Sequence, residues 1–150
     1  MKTKLLGIMV MLFLSLGFRA DGDINKIKNK KTYDAAALSE LTKNLEYDFD
    51  KPAVRAAYYK KLDELADAVK SENYVVSLRG HADGIGAYKY NWVLSDKRAV
   101  SVKDYLVSKG VKTDRVVTTP FGSTIPIASN KTESGRQKNR RVEISLKKIS

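Results

Sequence analysis

Two oppositely charged side chains, Asp83 and Arg98, stand out in the segment GHADGIGAYKYNWVLSDKRA, residues 80–99. A carboxylate accepts hydrogen bonds from an ammonium group, and a guanidinium binds a carboxylate through two parallel N–H groups. If the fold brings the two side chains together, they match the zwitterionic head of an amino acid. The same residue types also suit a surface ion pair between Asp83 and Arg98, which would contribute about 0–1 kcal/mol. Spacing alone leaves both interpretations open.

The sequence of the same segment does not favour phosphate binding or catalysis. Its glycines follow neither the G-x-G-x-x-G pattern nor a Walker loop, and the Asp83 carboxylate would repel a phosphate. The chain has one histidine, His81, no cysteine, and neither an H-E-x-x-H nor a G-x-S-x-G motif. We therefore expect no metal, no cofactor and no enzymatic activity. We expect the His81 ring to bond the nearby backbone.

Periodic apolar patterns predict the elements that must position these residues. Leu45–Asp50 and Tyr74–Gly80 alternate as strands, and a helix with a first-turn proline is predicted between them over residues 52–70. Ser95 is the expected N-cap of a second helix, which Gly110 ends.

The second half of the chain completes a mixed pattern. Arg115–Thr119 is predicted to be a third strand, residues 120–135 a long turn-rich connection, and Arg141–Lys147 a final strand. The order β-α-β-α-β-loop-β predicts a two-layer α/β (α+β) sandwich, with a mixed sheet of about four strands covered by helices on one face. The first strand, helix and second strand imply a right-handed crossover between parallel neighbours.

In such sheets, ligands bind at the edge where the strands end and the helices begin. Asp50 and Asp83 fall on that edge, as does Arg98, which we place in the first turn of the second helix. If the final strand runs antiparallel, its start brings Arg140 to the same edge. Arg140 has the parity of the core residues of that strand, whereas Arg141 points to the opposite face. We therefore expect Arg140 to be the site residue.

The first 43 residues differ from the rest of the chain. An apolar run, Leu5–Phe18, follows a basic leader, and its 14 residues are fewer than the roughly 20 that a membrane-spanning helix needs. We interpret residues 1–20 as an export signal that is cut after Gly17 or Ala20. Residues 21–43 read as a polar, lysine-rich linker with a short helix near its end.

Charge and composition narrow the class of partner. The formal net charge of +11 favours polyanions, and export argues against nucleic acid among them. A chain without cysteine has neither a lipoprotein cysteine nor a disulfide. Three clustered aromatic residues, Tyr88, Tyr90 and Trp92, are expected to cover the core of a small domain, and a sugar or peptide groove is the alternative.

Longer motifs resemble a known family. Residues 80–111, GHADGIGAYKYNWVLSDKRAVSVKDYLVSKGV, resemble the central motif of the OmpA-like C-terminal domain, the peptidoglycan-binding module of OmpA, the peptidoglycan-associated lipoprotein and MotB. YDFDKPAV, residues 47–54, resembles the family's first strand and loop, and SNKTESGRQKNRRVEISL, residues 129–146, resembles its closing segment. The resemblance implies a two-layer α/β domain, assigned to residues 44–150, that binds peptidoglycan noncovalently by holding the diaminopimelate of its stem peptide.

The resemblance also implies site residues. Asp83 and Arg98 match the family's aspartate and arginine, which would hold the ammonium and the carboxylate of diaminopimelate. Asn91 matches the motif asparagine, although a turn or capping amide is the alternative. Arg140 matches the first arginine of the family's N-R-R. Asp50 matches the aspartate that ends the first strand, and its alternative role is to cap the first helix.

These observations predict a periplasmic, outer-membrane-associated binding module that tethers the cell wall to the outer membrane or to an envelope partner. Peptidoglycan is the expected partner; an outer-membrane or envelope protein and a second copy of the chain are open as further ones. One alternative is an envelope protein that binds polyanions through net charge alone. The other is a cell-wall hydrolase that uses Asp50 and Asp83 as paired carboxylates.

Overall fold

The computed structural model describes residues 31–149, so the expected signal segment and most of the expected linker lie outside the described residues. The described helices are α1 (Ala35–Leu41), α2 (Tyr59–Glu72), α3 (Tyr88–Ser108) and α4 (Glu133–Asn139), and the strands are β1 (Leu45–Glu46), β2 (Tyr74–Gly80), β3 (Val116–Pro120) and β4 (Arg141–Lys148). Single turns of 3-10 helix, Ala56–Tyr58 and Thr113–Arg115, precede α2 and β3.

The strands form one mixed sheet in the order β1-β4-β2-β3. β2 and β3 are parallel, whereas β4 runs antiparallel to both of its neighbours, β1 and β2. The predicted mixed four-stranded sheet is confirmed. The predicted pairing of the first and second strands is wrong, because β4 lies between them. β1 has only two residues, and the eight-residue β4 provides β2 with a long partner.

The hydrophobic core lies between the helices and one face of the sheet. Its residues come from both long helices and from the inward positions of the strands, and they include Leu62, Leu65, Val69, Leu78, Ala99, Val102, Leu106, Val142 and Ile144. The predicted layer of helices on one face is thereby confirmed. Leu41 of α1 also lies in this core. The compact unit therefore begins before residue 44, and it extends to Lys31.

The chain leaves the sheet earlier than the alternation predicts. β1 ends at Glu46, and residue Asp50 adopts a left-handed backbone conformation with φ of 55°. The carbonyl groups of Asp48 and Lys51 accept hydrogen bonds from the Arg98 side chain. Because this tertiary contact holds residues 48–51 in a loop, the predicted strand is too long and the predicted helix start at residue 52 is wrong.

Helix α3 begins seven residues before the predicted N-cap. No side chain caps the backbone at Ala87, so the usual capping signal is absent at the true start. Ser95 lies about two turns inside the helix, where its hydroxyl donates to the Trp92 carbonyl at 2.8 Å and accepts from the Gly122 N–H at 2.9 Å. Arg98 is therefore about three turns into the helix, rather than in its first turn.

The predicted turn-rich connection contains the short helix α4. The Thr132 hydroxyl caps it by accepting from the Gly135 N–H at 3.1 Å. At its other end, the Asn139 side chain accepts hydrogen bonds from the N–H groups of Ile127 and Ala128. Arg140 directly follows α4 and directly precedes β4. Among residues 31–149, no helix is both long and apolar enough to cross a bilayer.

Candidate functional site

A cavity of about 140 Å³ opens where β2 ends and α3 begins, on the side of the sheet that carries the helices. It is lined by Phe49, Asp50, Ala82, Asp83, Ile85, Gly86, Tyr90, Asn91, Leu94, Arg98 and Arg140. All five predicted site residues line it, although they come from four separate parts of the chain. Two carboxylates, Asp50 and Asp83, and two guanidinium groups, Arg98 and Arg140, give the lining both signs of charge.

The Arg98 side chain is completely buried, and backbone carbonyls hold it in place. Its Nε donates to Lys51, its Nη1 to His81 and its Nη2 to Asp48, each at 3.0 Å. Burial lowers the pKa of Arg98 to about 10. The side chain is thus a cation near neutral pH, and its direct partners are dipoles rather than a carboxylate.

Asp83 is 4% exposed, and each of its carboxylate oxygens has one partner. Oδ1 accepts from the Ile85 N–H at 2.9 Å, and Oδ2 accepts from Arg140 Nη1 at 2.9 Å. Asp83 therefore forms its ion pair with Arg140. The alternative of a surface ion pair between Asp83 and Arg98 is wrong, because Asp83 is buried and paired elsewhere.

Arg140 is the most heavily bonded side chain of the cavity. Its guanidinium donates to Asp83, to the Tyr47 carbonyl, to Glu133 at 2.7 Å and to Gln137 at 2.6 Å. Burial alone would lower the pKa of Arg140, but the hydrogen bonds to Glu133 and Asp83 raise it above its ordinary value. Arg140 is therefore a fixed cation that orients Asp83.

Asn91 is buried in the first turn of α3 and faces the loop that carries Asp83. Its amide donates to the Asp83 carbonyl at 3.2 Å and to the Ile85 carbonyl at 3.0 Å. The side chain neither forms a turn before the helix nor caps it. It fixes the loop that presents Asp83 to the cavity.

Asp50 lies at the rim of the cavity and accepts a hydrogen bond from the Tyr90 hydroxyl. The alternative that it caps the first helix is wrong, since α2 begins at Tyr59 and Asp50 lies in the preceding loop. Tyr88, Tyr90 and Trp92 are 61%, 52% and 40% exposed, so the expectation that these aromatic residues cover the core is wrong.

The neighbouring residues Arg140 and Arg141 lie on opposite faces of the sheet. Arg140 lines the cavity on the helix side, whereas Arg141 donates to Glu143 at 2.5 Å and to the Ile125 carbonyl at 3.2 Å. This placement is the one that strand parity predicts.

His81 lies on the same face as Arg141, and its ring is 1% exposed. The ring stacks on Phe121 with centroids 5.3 Å apart, and its Nε2 is 3.4 Å from a Glu143 carboxylate oxygen. Neither ring nitrogen has a hydrogen-bond partner among the described residues, so the expectation that the ring bonds the backbone is wrong. Burial, followed by the nearby Arg141, lowers the pKa of His81 to about 4.

Known proteins share both the sequence and the shape of this domain. Residues 46–140 match the model of the OmpA family. The chain belongs to the OmpA family. Outer membrane protein A of Bordetella avium is 44% identical over 101 residues, which cover 67% of this chain and 52% of that protein. The peptidoglycan-binding protein ArfA of Mycobacterium bovis is 46% identical over 89 residues, 59% of this chain and 27% of that protein.

Solved OmpA-family structures have the same fold. The peptidoglycan-associated lipoprotein from Burkholderia pseudomallei aligns with a TM-score of 0.66 and 28% identity, over 69% of this chain and 89% of that one. The chain spans about half of the Bordetella protein and about a quarter of the Mycobacterium protein. Family membership agrees with the prediction that the chain is not an enzyme.

The OmpA-family match contains every residue that lines the cavity, from Phe49 to Arg140. Sequence reasoning missed two kinds of contributor. Phe49, Ile85, Tyr90 and Leu94 were not chosen as lining residues, although Tyr90 directly precedes Asn91 on the helix. Glu133, which holds Arg140, was missed because residues 120–135 were assigned to a loop, so the start of α4 was not foreseen.

Proposed function

We propose that this domain binds peptidoglycan noncovalently by holding the side-chain amino and carboxylate groups of diaminopimelate in the cavity beside Asp83 and Arg98. One observation carries the proposal: a buried carboxylate and a buried guanidinium line one cavity, and each keeps hydrogen-bonding capacity after its protein contacts are counted.

Arg98 has the donors that a carboxylate requires. A guanidinium has five N–H groups, and the three carbonyl contacts use one on each nitrogen. One N–H therefore remains on each terminal nitrogen, so Arg98 keeps two donors for a carboxylate. Because the carbonyls already fix the side chain, binding a ligand costs little further conformational entropy.

Asp83 has the acceptors that an ammonium group requires. An ionised carboxylate offers about four lone pairs, and Ile85 and Arg140 use two of them. The Ile85 N–H and the Arg140 guanidinium hold the carboxylate in a fixed orientation. Asp50 adds a second carboxylate at the rim, where it would attract the same ammonium group from a greater distance.

We further propose that the protein is exported, that residues 21–43 lead from the signal to the binding domain, and that binding tethers the wall to the outer membrane or to an envelope partner. The name of the Bordetella relative, outer membrane protein A, supports this location, and the name of the Mycobacterium relative supports peptidoglycan as the ligand.

The test is co-sedimentation of the protein with purified sacculi, with and without free diaminopimelate as competitor, for wild type and for Asp83→Asn. We expect diaminopimelate to displace the wild type and Asp83→Asn to bind about 10- to 100-fold more weakly, since the ammonium loses a charged hydrogen-bond partner. Asp104→Asn, an exposed position on α3, is the matched control and should bind like the wild type.

Two results would contradict the proposal. Binding that collapses with added salt and ignores free diaminopimelate would indicate a polyanion binder that works through net charge. Release of soluble muropeptides from the sacculi would instead indicate a hydrolase.

A further inference from the structure

A pair of exposed aromatic rings lies on α3 outside the cavity. Tyr88 is 61% exposed and Trp92 is 40% exposed, and their ring centroids are 5.9 Å apart with an interplanar angle of 34°. Val93, 45% exposed, and the exposed Lys89 complete this surface, which we term the aromatic platform. The proposed site does not use it.

The platform lies on a helix whose backbone is packed against the loop at Gly122. Tyr88 and Trp92 are four residues apart, so their side chains stack along one side of the first helical turns. The Trp92 backbone packs against Gly122, where an added Cβ would come within 3.3 Å of the Trp92 nitrogen. The two rings are therefore adjacent on one side of a helix whose backbone position is fixed by packing.

The size of the platform argues against a protein partner. A buried aromatic side chain covers about 150–250 Å², so the exposed parts of Tyr88, Trp92 and Val93 together offer about 300 Å². A stable protein interface needs about 800 Å² from each partner. The platform is therefore too small to hold a second protein chain by itself, but it is large enough for the apolar face of one or two sugar rings.

The platform and the cavity are separated by about the width of one helix. Tyr90 and Asn91, on the same helical turn, line the cavity, whereas Tyr88 and Trp92 face the other flank. An α-helix with its side chains is about 10–12 Å across. A bound polymer must pass around the helix, over about half its circumference or roughly 16–19 Å, which a stem peptide of about five residues can span at about 3.3–3.6 Å per residue.

We propose that the aromatic platform binds the glycan strand of peptidoglycan while the cavity holds the stem peptide of the same polymer. The inference rests on the proposed function, because the cavity sets the position from which the glycan must be reached. Sugar C–H groups would stack on the two rings, and Lys89 would donate hydrogen bonds to hydroxyl and carbonyl oxygens at the edge of the sugar.

The chain's single tryptophan makes the platform directly observable, because Trp92 is the only source of tryptophan fluorescence. The experiment titrates the protein with peptide-free glycan strands and follows Trp92 emission in wild type, Tyr88→Phe and Tyr88→Ala. We expect a saturable change in emission, an affinity within about twofold of wild type for Tyr88→Phe, and an affinity about two- to tenfold weaker for Tyr88→Ala.

The Asp83→Asn variant separates this inference from the proposed function. It should lose competition by diaminopimelate but keep the response to peptide-free glycan. If glycan gives no saturable change, or if Tyr88→Ala binds glycan as well as wild type, the platform assignment is overturned. The proposed function would still stand if diaminopimelate displaces the protein from sacculi, and would fall if it does not.

Discussion

Two buried polar clusters lie on opposite faces of the same sheet, and only the cavity cluster contains an arginine, Arg98, whose hydrogen-bond partners are all backbone carbonyls. The cavity cluster, Asp83, Arg98 and Arg140, borders open space, and its groups keep free donors and acceptors. In the sheet-face cluster, His81, Arg141 and Glu143, the Glu143 carboxylate pairs with Arg141 and lies 3.4 Å from His81 Nε2, and the His81 ring stacks on Phe121.

The difference teaches how a binding site can be distinguished from a structural ion-pair cluster. Burial of charge alone does not distinguish them, since Arg98 and Arg141 are both completely buried. What differs is the chemistry of the partners. Arg98 has only carbonyl partners and retains its full charge for a ligand, whereas the charge of Arg141 is neutralised by Glu143.

The largest expected effect is on stability, in Arg98→Ala. The substitution leaves the carbonyls of Asp48, Lys51 and His81 without their donor, and we expect the free energy of unfolding to fall by about 3–5 kcal/mol. Urea denaturation measures this. A loss below about 1 kcal/mol would mean that the carbonyl contacts do not organise the loop, and that Arg98 serves the ligand alone.

The next largest effects distinguish the roles of the two clusters in stability and in binding. Arg141→Ala breaks the ion pair with Glu143, and we expect a loss of about 2–4 kcal/mol, limited by the partial exposure of Glu143. Binding of the folded variant to sacculi should remain within about twofold of wild type, because Arg141 does not line the cavity. Arg140→Ala should instead weaken binding strongly. Weak binding by Arg141→Ala together with unchanged binding by Arg140→Ala would instead assign the binding site to the face that carries Arg141.

The smallest expected effect is a loss of stability of the folded protein at acidic pH. Because the pKa of His81 is lowered to about 4 in the folded state, the unfolded chain binds the proton more tightly than the native one. Stability from this group is complete above pH 6.5 and is lost as the pH falls from 6.5 through about 4, by about 3 kcal/mol in all.

His81→Phe keeps a ring against Phe121 and removes the titration. Thermal unfolding between pH 7 and pH 4 compares it with wild type. We expect the variant to lose less stability over that window, and equal losses in the two proteins would contradict the role of His81.

Some features of the fold and of the cavity could be predicted from the sequence, and others could not, because they depend on contacts between distant parts of the chain. Parity along β4 placed Arg140 and Arg141 on opposite faces because side-chain alternation is a local property of a strand. The order of the strands is not local, so nothing near β1 indicated that β4 would lie beside it. Helix α3 was predicted to start late because Ala87 carries no capping side chain.

The carbonyl partners of Arg98 were equally invisible, since they depend on a loop almost fifty residues earlier in the chain. The short helix α4 was hidden by a segment rich in turn-forming residues. Glu133, the first residue of this helix, accepts a hydrogen bond from Arg140. Because the helix was not predicted, this contact was missing from the expected site.

The position of β4 has a consequence for how the domain is made. β4 pairs with β1 through Val142 and Leu45, and with β2 through Leu146 and Val76. β4 is therefore the last strand to leave the ribosome, whereas both of its neighbours emerge much earlier. During synthesis β1 and β2 have no shared neighbour, and only the β2-α3-β3 unit can form its own pairing. The β1 edge of the sheet, and with it the placement of Arg140 in the cavity, can therefore form only after almost the entire domain has been synthesised.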